Sequence, residues 1–318
     1  MTKTIFTNIL GCFVIDDNKG IIEQKLFADY AAYSQREDVE KAFRAKHPKA
    51  LPFPEENFPT ILALFADQRY FSLFHERNIE LTKAALKAAV SDDDFIFQTI
   101  STLKDLDKIC NMLAKRLREW YDLYAPEVVR GIESHAQFVA AVLERQKSAD
   151  SFGADLAETD VAEMQELARK IQGLSALQEQ QEAYLESVMK KHCPNLLAVA
   201  GAKIGAQLLD HAKGLKRLAL LPASTIQLLG AEKALFRHMT TGSRSPKYGL
   251  LYQHPLVQKA RPSERGKVAR MLADKLSLCA RLDFFKGGLH GKEYLQELEK
   301  KLAANTLQKQ KKKRVPKP

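Results

Sequence analysis

The chain opens in apolar patterns that suit strands. Residues 5–15 are apolar and β-prone, Asp16-Asp17-Asn18-Lys19-Gly20 is turn chemistry, and residues 21–27 alternate back into apolar positions, which predicts a hairpin. Residues 29–47 carry a helical pattern, and Pro48, Pro52, Pro54 and Pro59 punctuate a loop behind it. Residues 1 to about 90 thus read as a small α/β domain.

From there the periodicity turns helical. Ser91-Asp92-Asp93-Asp94 has the composition of an N-cap followed by acidic first-turn residues, where the helix dipole favours them. Leu103, Leu106, Cys110, Leu113, Leu117, Trp120 and Tyr124 recur at three- and four-residue steps, one stripe on a long helix that Pro126 interrupts. Val128, Ile132, His135, Val139 and Val142 continue the stepping, with His135 read as a packed or partly exposed histidine. After a polar interval, Met164, Ile171, Gln178 and Leu185 share one heptad position and Leu167, Leu174, Gln181 and Val188 the other. Seams at this spacing bury themselves against a partner helix, and the preceding helix is the nearest in sequence, which predicts an antiparallel hairpin. Pro194 ends the coil, and residues 196–209 read as one apolar helix in which Gly201 and Gly205 permit close packing. The pattern as a whole predicts a mainly α chain with a small N-terminal α/β domain and a long antiparallel coiled coil followed by an all-helical domain.

Composition narrows the classes. At 318 residues there is room for two or three domains, and 45% hydrophobic residues with a mean hydropathy of −0.30 suit a globular chain. No apolar run reaches the roughly 18 residues of a membrane span, and Asp16-Asp17 closes the first apolar stretch too early for a signal peptide, so a cytoplasmic location is expected. Cys12, Cys110, Cys193 and Cys279 are scattered, without metal-ligand spacing or a disulfide framework. Charge is the more telling property. Lys and Arg against Asp and Glu give −7 over residues 1–200 and +17 over residues 201–318, within a total of +10. The C-terminal run of Lys309, Lys311, Lys312, Lys313, Arg314 and Lys317 contributes only six of these positive charges. A basic second half implies a polyanionic partner.

Catalytic signatures are missing. The sequence has neither H-E-x-x-H nor G-x-S-x-G, and Gly287-Gly288-Leu289-His290-Gly291-Lys292 departs from a phosphate loop in spacing and in carrying Glu293 where Ser or Thr is required. No cofactor, metal or catalytic residue is expected. The basic half instead offers two helices joined by a basic loop. Ser224 is placed to cap a helix over residues 225–238, on which Lys233 and Arg237 share a face. The loop 241–249 follows with Arg244, Lys247, hydroxyls and glycines. A second helix over residues 263–281 presents Arg265, Lys267 and Arg270 near its start, with Met271, Leu272, Leu276 and Leu278 as its core side. This combination points to RNA phosphates.

These residues also carry a resemblance. Gly230-Ala231-Glu232-Lys233-Ala234-Leu235-Phe236-Arg237-His238 and Pro246-Lys247-Tyr248-Gly249-Leu250-Leu251-Tyr252-Gln253 resemble the signature of the Nop family. Leu221-Pro222-Ala223-Ser224-Thr225-Ile226-Gln227, Arg265-Gly266-Lys267-Val268-Ala269-Arg270, Cys193-Pro194-Asn195-Leu196 and Ala280-Arg281-Leu282-Asp283-Phe284-Phe285 fit it as well. The likeness is dense over residues 193–300. Met239-Thr240-Thr241 departs from it where a basic residue is common, and the first ninety residues match only by position and class. The long Lys/Glu-repeat tails of the eukaryotic nucleolar members are missing, so the resemblance is to archaeal ones.

The resemblance implies a non-catalytic scaffold of the box C/D ribonucleoprotein, which guides 2′-O-methylation of ribosomal and transfer RNA. Residues 1–120 would hold the fibrillarin methyltransferase, and 121–192 would form a homodimer through Met164, Leu167, Ile171, Leu174, Leu185 and Val188. Residues 193–302 would be the Nop domain, and 303–318 a basic disordered tail. Within the Nop domain, Lys233, Arg237, Arg244, Lys247, Arg265, Lys267 and Arg270 would meet box C/D guide RNA. Ala223 and Ser224 would meet a small kink-turn-binding, ribosomal-protein-like subunit. The alternative is a splicing-factor-like Nop protein that binds a kink-turn without a methyltransferase.

Overall fold

Successive residues of a strand face opposite sides of its sheet, and the strand Gly11–Asp16 (β2) is apolar on both. Phe13 and Ile15 pack with Leu10 and Tyr70, while Cys12 and Val14 pack with Ile5 and Phe43. Two helices supply the covering layers, Arg36–Lys46 (α2) through Phe43 and Gln68–Ala89 (α3) through Tyr70. In this computed structural model β2 lies between Lys3–Thr7 (β1) and Ile21–Leu26 (β3), antiparallel to both, and Leu51–Pro52 (β4) adds to β1 in parallel. Asp29 caps the short helix Tyr30–Ser34 (α1) by accepting the Ala32 N–H at 2.8 Å. The structure describes residues 3–16, 20–53, 65 and 67–314. Asp17, Asn18 and Lys19 of the expected turn, and Pro54 and Pro59 of the expected loop, lie outside them.

The chain divides into two units, Met1–Ser91 and Asp92–Pro318. The first ends well before residue 120, because the helix Asp92–Tyr121 (α4) packs along Glu158–His192 (α7). The heptad seam therefore meets a second, longer partner besides the preceding helix that its position in the sequence predicts. Ile96, Ile100 and Leu103 at the start of α4 meet Leu185 and Met189 at the end of α7. Leu117 and Tyr121 at its end meet Met164 and Ile171, so the pair is antiparallel. The short helices Pro126–Gly131 (α5) and His135–Leu143 (α6) close this second cluster with Phe138, Val139 and Val142. Polar Gln178 on the seam donates to Asp107 at 2.7 Å. Arg118 ties the turn between α5 and α6 in place, donating to the carbonyls of Val129 and Glu133 at 3.0 Å each. His135 is half-buried, and burial together with the nearby Arg118 holds its pKa below the ordinary imidazole value.

The remaining helices surround Arg265–Phe284 (α14), which buries Val268, Ala269, Leu272, Ala273, Leu276, Cys279 and Ala280. Leu278, expected in this core, is exposed, and Met271 is half-buried. Two expected helices are broken by glycines. Gly201 (φ +75°) divides Pro194–Ala200 (α8) from Ala202–Ala212 (α9), and Gly230 (φ +84°) follows Ala223–Leu228 (α11) and precedes Glu232–Thr241 (α12). Between α9 and α11 lies Leu215–Leu220 (α10), and Pro255–Gln258 (α13) precedes α14. The last helix, Gly291–Arg314 (α15), runs through most of the stretch expected to be disordered. Lys, Gln, Leu and Ala are all good helix formers, which explains the continuation. Residues 315–318 lie outside the described ones. Among the described residues no helix is long and apolar enough to cross a membrane.

Asp93 does more than begin its own helix. Its carboxylate accepts from His192 at 2.8 Å and from the Leu215 N–H at 3.0 Å, joining the starts of α4 and α10 to the end of α7. The hydrogen bond to Asp93 raises the His192 pKa, against the opposing pull of burial. Burial raises that of Asp93, but the bonds from His192 and Leu215 outweigh it and the net shift is downward. The histidine's contribution is full below its unfolded value of about 6.5 and fades as pH rises through its higher folded value. That of the aspartate is full above about 3.9 and fades as pH falls through its lower folded value. Urea midpoints of the native chain should therefore decline between pH 6 and pH 8.5, and His192→Gln should flatten that decline. Equal pH dependence in both chains would contradict the pairing.

Candidate nucleic-acid interface

The basic loop is held by the helix before it. Gln227, buried at the end of α11, donates through Nε2 to the Lys247 carbonyl at 2.6 Å, and its own backbone carbonyl accepts the Gly249 N–H at 3.0 Å. Leu250 N–H donates to the Leu229 carbonyl at 2.7 Å. A Cβ on Gly249 would lie 1.9 Å from that carbonyl oxygen, so only glycine allows the two backbones this close. The clamp fixes where Lys247 emerges. Its side chain lies along Gly266 in the first turn of α14, where a Cβ would be 3.4 Å from the Lys247 Cβ. Gly266 and Arg270 are four apart, and Lys267 and Arg270 three apart, so the loop cation meets the basic side of the helix. Lys247, Lys267 and Arg270 are all exposed.

Arg265 has a different task. Its Nε donates to the Ala260 carbonyl at 3.2 Å, and its guanidinium lies over the Tyr252 ring at 5.4 Å. Tyr252 in turn stacks on Tyr248 at 5.2 Å. The half-buried Arg265 therefore braces the turn ahead of α14, and its guanidinium is less open to solvent than the side chains of Lys267 and Arg270.

Lys233 and Arg237 stand exposed on α12, a helix that buries none of its residues. The same helix leaves Phe236 68% and Met239 75% exposed, an apolar surface that the sequence pattern does not announce. Glu232 anchors its start, accepting the Gly230 N–H at 2.7 Å. Burial raises the Glu232 pKa, but that bond, its own backbone N–H and His211 bring it below the ordinary value. Arg244 is exposed on the loop, where the His238 ring bonds the Ser243 carbonyl. Ala223 is half-buried, and Ser224 is exposed beside a shallow hollow of about 200 Å³ shared with Leu228, Leu229 and Leu235. Pro222, not Ser224, occupies the N-cap of α11. Lys247, Lys267 and Arg270 are thus brought together, whereas Lys233 and Arg237 occupy a separate helix. Among the described residues no cluster of His, Cys, Asp or Glu could hold a metal ion.

Two further segments of the family resemblance meet at the far end of α14. The Asp283 carboxylate accepts from Asn195 N and Leu196 N at 3.0 and 2.8 Å, and from Asn195 Nδ2 at 2.8 Å, at the start of α8. Asn195 Oδ1 accepts from His290 N and Gly291 N at 2.7 and 2.8 Å. One buried amide thus joins the starts of α8 and α15 to the end of α14.

An antiparallel helical arm joined to a helical bundle with an exposed basic face defines a class of mainly helical protein. The family described as "Nop: snoRNA binding domain, fibrillarin" matches residues 102–152 and 143–304, and the chain belongs to it. An uncharacterised NOP5 family protein of Methanocaldococcus jannaschii is 36% identical over 253 residues, 72% of this chain and 61% of that protein. Nucleolar protein 56 of Caenorhabditis elegans is 33% identical over 66% of this chain and 50% of its own length. Nucleolar protein 58 of Candida albicans is 38% identical over 61% of this chain and 42% of its own. The chain thus spans about two fifths to three fifths of the length of these curated relatives. A solved structure titled as a fibrillarin/Nop5p complex aligns with 93% of this chain and 98% of its own, at 22% identity and a TM-score of 0.45.

Proposed function

We propose that this chain is a non-catalytic scaffold of the box C/D ribonucleoprotein that guides 2′-O-methylation of ribosomal or transfer RNA. In this reading the unit Met1–Ser91 and the start of the arm hold a fibrillarin methyltransferase, and the helical bundle holds guide RNA together with its small kink-turn-binding protein. The observation that carries it is the packing of Lys247 against Gly266, which gathers cations from two elements onto one surface inside the family's matched region. Ala223, Ser224 and the uncovered Phe236 and Met239 suit a protein partner beside that RNA, since apolar side chains gain from contact with protein and little from phosphate. Self-association of the arm would centre on the half-buried Leu174, because Met164, Ile171 and Leu185 are buried within the chain and Leu167 and Val188 pack against its cores.

Reconstitution tests the reading. Fibrillarin, guide RNA and the kink-turn protein should transfer methyl groups to a target RNA only when this chain is added, and the chain alone should transfer none. Methyl transfer by the chain alone, or transfer unaffected by leaving it out, would contradict the scaffold role. Failure of the full chain to retain fibrillarin, with RNA binding intact, would instead favour a kink-turn binder without a methyltransferase.

A further inference from the structure

A cavity of about 270 Å³ opens beside the basic surface, between α13, the turn into α14 and the middle of α15. Its floor is apolar, made by Leu256, Ala260, Val268, Met271 and Leu302. Its rim carries Lys259, Arg261 and Lys267, all exposed, against the single carboxylate of Glu264. Volume limits the occupant. Pockets for whole small ligands begin near about 300 Å³, so this one suits a single ring system rather than a folded peptide segment. Charge limits it further, since three cations around an apolar floor complement a flat apolar ring attached to a phosphate. Lys267 belongs both to this rim and to the surface that carries Lys247 and Arg270, so a strand bound there passes the mouth of the cavity.

We propose that the cavity receives the base of one unpaired nucleotide of the bound RNA, with its phosphate held by Lys259, Arg261 and Lys267. Unpaired bases are the part of an RNA that a protein can draw out of the stack and bury, and this is how most sequence-selective RNA contacts are made. The turn that bears Ala260 and Arg261 is braced by Arg265, whose Nε holds the Ala260 carbonyl, so one wall of the cavity is fixed before RNA arrives. Neither the general phosphate-binding role of Lys267 nor the family match assigns a base to this site. The inference rests on the RNA-binding reading above, and its test separates the two.

The probes are a 12-base-pair RNA duplex carrying one bulged 4-thiouridine and the same duplex fully paired, each titrated with the full chain. The bulged duplex should bind about tenfold tighter, within the range that burial of one base contributes. Irradiation should crosslink the thiouridine within residues 256–271 or at Leu302 and Ala303. Ala303→Trp, at an exposed position on the wall, should fill the cavity and abolish the bulge advantage while leaving the paired duplex bound as before. Arg261→Glu, at an exposed position on the rim, should weaken the bulged duplex more than the paired one and decides the matter should the tryptophan variant misfold. A bulge advantage that survives in both variants, its absence from the native chain, or crosslinks confined to other residues would each overturn the inference while leaving RNA binding intact. If a short Leu/Glu-rich peptide binds here and the bulge brings no advantage, the cavity is a protein site and the inference is likewise overturned. Loss of both duplexes from the native chain would instead overturn the RNA-binding reading, and the inference with it.

Discussion

Ile171→Asp should unfold the helical arm rather than merely separate two copies of the chain. Ile171 is 3% exposed and packed in the cluster with Leu117, Tyr121, Phe138 and Val139. Truncating a buried isoleucine costs about 2–5 kcal/mol, and an unpaired carboxylate at that place adds its own desolvation. The sum is a large fraction of the roughly 5–15 kcal/mol by which domains are stable. The expected result is a large drop in the urea midpoint, followed by circular dichroism, with loss of helicity at room temperature. Leu174→Asp, at a half-buried position, should leave the arm folded and so tests self-association cleanly by sedimentation. An Ile171→Asp chain with an unchanged midpoint and a lower sedimentation coefficient would show that this position faces a partner copy instead.

Asn195→Ala should disrupt the bundle nearly as strongly. The amide is 2% exposed and serves Asp283, Gly288, His290 and Gly291 at once. Its removal leaves the backbone N–H groups of His290 and Gly291 and part of the Asp283 carboxylate without a partner. Each unsatisfied buried group costs about 1–3 kcal/mol, so a loss of at least about 3 kcal/mol is expected. Burial already raises the Asp283 pKa despite the hydrogen bonds it accepts from Leu196 and Asn195, so losing the Asn195 side chain should raise it further. Guanidinium unfolding of the two chains measures the difference. A midpoint within experimental scatter of the native one would contradict the role of Asn195 as the joint between α8, α14 and α15.

Much of this architecture is legible in the sequence, and what escapes does so for physical reasons. The heptad stepping identifies Met164, Ile171 and Leu185 as buried, and they are. It points to the preceding helix, whose Phe138, Val139 and Val142 do pack with Met164 and Ile171. It does not point to the longer partner, because a seam states its own spacing and not the identity of every stripe it meets. The stripe of Leu103, Leu106 and Leu117, buried on α4, is equally plain in the sequence and runs along the seam as its longer partner. Helical periodicity runs unbroken through residues 196–209 and 225–238, yet positive φ at Gly201 and Gly230 breaks both. Apolar spacing carries no information about φ. Arg265 and Lys267 look alike as cations near a helix start, and only the carbonyl of Ala260 and the ring of Tyr252 distinguish the brace from the exposed charge. Asn195 and Asp283 belong to two separate motifs of the sequence, and their bonds across 88 residues show why both segments belong to one signature.

If cations of the bundle hold RNA through its phosphates, the affinity must fall with salt in proportion to the contacts they make. The affinity of the native chain for a kink-turn RNA would be measured against salt concentration, with and without the kink-turn protein. The same would be done for single Ala variants of Lys233, Arg237, Lys247, Lys267 and Arg270, with Arg265→Ala as the bracing control. The slope of log affinity against log salt should fall by about 0.7–0.9 for each phosphate that loses its cation. Lys247, Lys267 and Arg270 should show this reduction, and their combined replacement should remove about two units of slope or more. Slopes unchanged from the native chain across all the exposed cations would mean that these charges only face solvent and hold no RNA.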